Sequence, residues 1–144
     1  MKAKVPFAWD RYYHLDEMHD AMRQLAAAWP GFVELRSIGT SVEGRDLLMA
    51  VVTDQATGKD TEKTAFWCDG NIHGNEVQGA EAALYAAWYL LERHGDVEQA
   101  TRLLDERVFY VLPMQNPDGR AHWFEAANDS SSSRSGVRPS DNDG

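Results

Sequence analysis

Cysteine is almost missing from this chain of 144 residues: Cys68 stands alone. A single thiol excludes an internal disulfide framework, and its place inside an apolar run reads as a small buried side chain. The compartment stays open, because extracytoplasmic proteins need not carry disulfides. Positive charge is scarce as well. Against 23 acidic residues there are 14 Lys and Arg, a formal net charge of -9. A chain of that sign repels phosphate backbones, so no nucleic-acid partner is expected. Runs of like charge long enough to form a tail are absent, and so are internal repeats. No segment approaches the ~20 apolar residues that span a bilayer. The opening "MKAKVPFAWDRYYHLDEM" lacks the apolar run of a signal peptide.

What is present suffices for one domain with a real core, since 43% of the residues are hydrophobic. Leu15, Met18, Met22, Leu25 and Trp29 recur in steps of three and four, one stripe on a helix that Asp16 and Glu17 open and Pro30-Gly31 ends. Residues 32–38 alternate and read as a strand, followed by the turn "GTSVEGRD" and a second strand over 47–53. A third strand over 64–70, apolar at its centre, is expected to be buried on both faces. Val77, Ala80, Leu84, Ala87, Trp88 and Leu91 share a face of the clearest helix, with Gly95 as its cap. A shorter helix over 97–104, a strand over 107–113 and a turn "QNPDGRAHW" follow. Helices alternating with apolar strands predict an α/β fold: a mixed, mostly parallel sheet with helices on both faces, an α/β/α sandwich.

Ligands in such sheets gather beyond the carboxyl ends of strands. Two polar loops leave such ends, "DGNIHGNE" and "MQNPDGR". The first carries His73 and Glu76, three apart. Imidazole nitrogen and carboxylate oxygen are zinc donors at about 2.0–2.2 Å, and Gly74 between them is expected to let the backbone bend. The bland alternative is a polar turn. The other histidines have plainer readings. His14 and His19 suit a helix surface, His94 suits the helix C-terminus where a cation meets the dipole, and His122 follows the Asn-Pro-Asp-Gly turn. Trp88 and Tyr89 read as core and rim. "DNDG" at 141–144 matches the first half of a calcium loop without the remainder.

Three segments in order, "GTSVEGRDLLMAVV", "CDGNIHGNE" and "VLPMQNPDGRAHW", resemble the zinc metallocarboxypeptidases of the carboxypeptidase A type, most closely bacterial members. The lead-in "RYYHLDEMHDAMRQLAAAWPGFVELRSIG" extends the resemblance over nearly the whole chain to about Trp123. It implies that His73 and Glu76 are the first two zinc ligands of a two-His, one-Glu catalytic site. Asn116, Pro117, Asp118 and Gly119 then form a structural turn at the wall of the active site. An arginine past that turn steadies the oxyanion, as a charge that persists at any working pH can. Arg134 is favoured for this role, with Arg138 as the alternative, and Arg120 stands too close to the turn. Asn75 replaces an arginine that contacts substrate in the digestive members, which makes it a substrate-binding candidate.

The resemblance further implies peptide or protein C-termini as substrate, Zn2+ as cofactor and an extracytoplasmic, secreted or periplasmic, location. It places the third ligand, the general base and the carboxylate-binding residues downstream of Gly144. Residues 1–144 are accordingly expected to be the N-terminal portion of a single catalytic domain, truncated and by itself nearly inactive, with 129–144 a flexible Ser/Asp-rich loop. Two alternatives stand beside this reading. One is a zinc-dependent deacylase of acyl-amino acids, like the aspartoacylase and succinylglutamate desuccinylase branch. The other is a non-catalytic binding module on the same fold.

Overall fold

The computed structural model describes residues 3–125. Helix α1 spans Leu15–Ala28. Its first turn is closed by Glu17, whose carboxylate accepts the His14 backbone N–H at 2.8 Å and pairs with Arg11 at 2.9 Å. Strands β1, Val33–Thr40, and β2, Asp46–Val52, form an antiparallel hairpin. After two short 3-10 turns comes β3, Thr64–Asp69, then helices α2, Gln78–Arg93, and α3, Glu98–Glu106. Strand β4, Arg107–Leu112, leads into α4, Pro117–Glu125. Gly95 follows the His94 C-cap with φ +84°, a left-handed conformation that glycine adopts at little cost.

The sheet order is β1-β2-β4-β3. The fold is therefore α/β with a mixed sheet, as the alternation of elements implied. Among the described residues, two pairings are antiparallel and the β3–β4 pairing is parallel. Parallel neighbours need a long crossover, and α2 and α3 supply it. Alternation along β2 and β4 divides their side chains between two faces. Ala50, Val52 and Val111 join Met18, Met22 and Leu25 of α1 and Ala80, Leu84 and Leu91 of α2 in the main core. Met49, Val51, Val108 and Leu112 form a smaller cluster under Tyr110. Burying a side chain such as Leu25 or Leu84 contributes about 1.5–3 kcal/mol, so the α1 and α2 stripes hold these helices to the sheet.

Three expectations are corrected. Strand β3 is not buried on both faces. It has one neighbouring strand among the described residues, and Phe66 and Trp67 are 57% and 50% exposed. The segment "QNPDGRAHW" is a turn only at its start, because Pro117 opens α4 with the fixed dihedral that suits a first helical position. His19 is buried against the core rather than on the surface, and burial pushes its pKa down. His14 is exposed, as expected.

Candidate metal centre

The parallel register brings the carboxyl ends of β3 and β4 side by side, with Asp69 opposite Leu112. Backbone pairing continues one step beyond the strands, through Gly70 N–H to Leu112 O at 3.1 Å and Gln115 N–H to Gly70 O at 3.0 Å. The two polar loops therefore leave the sheet together. The first turns sharply at Asn71, which is buried and has φ +55°. Asparagine is among the few residues beside glycine that visit this region readily. The Asn71 Nδ2 donates to His73 O at 2.8 Å. Glu76 N–H closes the turn onto His73 O at 3.1 Å, and α2 begins two residues later, at Gln78.

This turn brings the two candidate donors together: His73 Nδ1 lies 2.8 Å from Glu76 Oε2, with both side chains partly open to solvent. Two atoms each about 2.1 Å from one tetrahedral ion stand roughly 3.4 Å apart. A slight opening of the pair therefore suits a zinc ion, and the nitrogen and oxygen donors are of the right chemical type. Asn75 lies between the two and is partly buried.

The second loop packs against this turn. Asn116 caps α4, its Oδ1 accepting the Gly119 N–H at 2.9 Å. The Asn116 Nδ2 reaches across to Ile72 O at 3.1 Å. Gly74 has no positive φ, so it is not the source of the bend expected of it. Its role is close approach: an added Cβ would stand 2.8 Å from Gly119 O. Asp118 is buried and tethers a third segment. It accepts from Ser41 Oγ at 2.6 Å, Glu43 N–H at 3.1 Å and Arg45 Nη1 at 2.7 Å. Burial alone would raise the Asp118 pKa, but these donors outweigh it and hold the carboxyl below its ordinary range. "SVEGR" and "NPDG", far apart in sequence, are thus one structural unit.

The remaining candidates are not drawn to His73 and Glu76. His122 Nε2 pairs with Glu43 at 2.6 Å. His94 pairs with Asp105 at 3.1 Å and lies edge-on to Phe32. Among the described residues, three donors within reach of one another are Asp54, His94 and Asp105. They sit at the far end of α2, whose 16 residues span about 24 Å from the His73 turn. Arg120 is fully buried. Its place among backbone carbonyls gave no signal in the sequence, and neither did the conformation of Asn71. Arg134, Arg138, the segment 129–144 and the "DNDG" stretch lie outside the described residues.

Comparison with known proteins adds a family match. The family model described as zinc carboxypeptidase matches residues 18–142. Carboxypeptidase D of Anas platyrhynchos is 33% identical over 109 residues, 76% of this chain and 8% of that protein. Carboxypeptidase A2 of Rattus norvegicus is 34% identical over 113 residues, 78% of this chain and 26% of that protein. A protein of Saccharomyces cerevisiae named as an inactive metallocarboxypeptidase is 29% identical over 116 residues, 81% of this chain and 27% of that protein. The chain thus spans about a quarter or less of the length of these relatives. In fold, it resembles thrombin activatable fibrinolysis inhibitor, with a TM-score of 0.77 at 24% identity over 88% of this chain and 31% of that one. Carboxypeptidase A of Helicoverpa armigera gives a TM-score of 0.71 at 24% identity over 84% of this chain and 28% of that one.

Proposed function

The chain belongs to the zinc carboxypeptidase family, and from that premise we propose that it is part of an enzyme that removes residues from peptide C-termini, with His73 and Glu76 as two ligands of a catalytic zinc. The observation that supports this most is the convergence of His73 Nδ1 and Glu76 Oε2, 2.8 Å apart, beyond the paired ends of two parallel strands. When bound, zinc supplies Lewis-acid activation of a carbonyl and of water. The protein's own part is to aim both donors at one point. The turn at Asn71 sets His73, the start of α2 sets Glu76, and the Asn116–Gly119 cap backs the turn through Ile72 O and Gly74. Asn75, between the ligands, is a contact for substrate in this reading. Arg134, or else Arg138, steadies the oxyanion. The third ligand and the base come from other parts of the protein.

The test is a side-by-side assay of the protein at its full natural length on a peptide with a free C-terminus, the same peptide amidated, and an N-acyl amino acid. Release from the free peptide alone supports a carboxypeptidase. Cleavage of the acyl-amino acid alone would replace this reading with the deacylase. The likeness to a relative named as inactive supports one further reading, a binding module that keeps the fold without turnover. Zinc binding with no cleavage of any of the three would favour it.

A further inference from the structure

Among the described residues, Arg120 heads the fully buried side chains by volume, and it carries a charge. Burial pushes its pKa down, with Glu81 opposing, yet a guanidinium keeps its proton at any working pH. Its donors all find acceptors. Nε donates to Tyr13 O at 3.1 Å, Nη1 to Asn71 Oδ1 at 3.0 Å and Val77 O at 2.9 Å, and Nη2 to Tyr13 O and to Glu81 Oε1, the latter at 2.5 Å. Glu81 Oε1 also accepts the Tyr13 N–H at 2.8 Å. A brace between α4, α2 and the segment before α1 would account for Tyr13 and Glu81. It does not account for Asn71, and the carbonyl that Arg120 reaches on α2 is that of the N-cap, Val77.

Those two flank the candidate ligands. Asn71 lies two residues before His73, and Val77 directly follows Glu76. A guanidinium offers only donors, so it must face the oxygen of the Asn71 amide. The amide nitrogen is thereby turned toward His73 O, to which it donates at 2.8 Å. We propose that Arg120 is a positioning residue for the metal site. Through Asn71 it fixes the backbone of His73, and through Val77 O it fixes the residue after Glu76, so that both ligands are held in one geometry. This rests on His73 and Glu76 being zinc ligands. Partners that orient ligands typically cost 10–100-fold in metal affinity when removed.

The experiment measures zinc dissociation constants for this chain by competition with a chromophoric chelator, below the melting temperature. The variants are His73→Ala, Asn71→Gly and Arg120→Lys. Glycine adopts φ +55° without strain, so Asn71→Gly is expected to fold. Lysine keeps the charge of Arg120 but not its fork of donors. The expected result is that Asn71→Gly and Arg120→Lys each weaken zinc binding by about tenfold while remaining folded by circular dichroism. A brace without influence on the ligands would lower the melting temperature and leave the affinity of the folded protein unchanged, which would overturn the proposal. If Arg120→Lys does not fold, Asn71→Gly decides alone. If His73→Ala binds zinc as the parent does, the metal reading itself fails. If only His73→Ala weakens binding, that reading stands and the positioning role falls.

Discussion

Gly74 and Gly119 meet backbone to backbone: a Cβ on Gly74 would stand 2.8 Å from the Gly119 carbonyl oxygen, and one on Gly119 would stand 2.9 Å from the Gly74 Cα. The turn that carries His73 therefore leans on the first turn of α4 with no room for a methyl group. Gly74→Ala is expected to destabilise the fold by about 1–3 kcal/mol through this overpacking. Urea unfolding measures it, and an unchanged midpoint would mean that the two loops are not in contact.

Asp118 joins the loop between β1 and β2 to the same cap. Its folded-state pKa is depressed, so its contribution is fully present above the unfolded value of about 3.9 and is lost as pH falls through the folded value. Asp118→Asn is expected to lower stability at pH 7 by roughly 1–3 kcal/mol and to flatten the loss of stability below about pH 4. Denaturant titrations at both pH values test this, and an unaltered acid limb would contradict it.

His19 points to a second pH dependence. Burial, aided by Arg23, lowers its pKa, so the folded state favours the neutral ring. The stability this gives is complete above the unfolded pKa of about 6.5 and declines as pH falls from there through the folded value. The Nε2 of His19 has no hydrogen-bond partner among the described residues. His19→Leu is therefore expected to flatten the stability profile just below about pH 6.5. A profile that keeps its slope would assign the effect to another group.

Periodicity made the helices legible. The Met18, Met22 and Leu25 stripe and the Ala80, Leu84 and Leu91 stripe are the faces that pack on the sheet. The His73 and Glu76 candidates were legible because two donor types stood three apart after an apolar strand. That β3 has one neighbouring strand among the described residues was not legible, because "TAFWCD" reads the same whether or not a second neighbour covers it. Nor was the helix after Asn116, since Asn-Pro-Asp-Gly is strong turn chemistry and equally a good helix start. Pairings across 73–77 residues, such as Ser41, Glu43 and Arg45 with Asp118, leave no trace in local pattern. The same holds for Arg120, whose carbonyl partners lie 43 and 107 residues away.

The most direct test of the account is a zinc titration of this chain followed by the imidazole NMR signals of its five histidines. The account predicts that the His73 ring responds first, and that His73→Ala abolishes this phase while the rings of His94 and His122 stay unmoved through it. A first response at His94, with Asp54 and Asp105 beside it, or one that persists in His73→Ala, would contradict the assignment of the metal to the His73 turn.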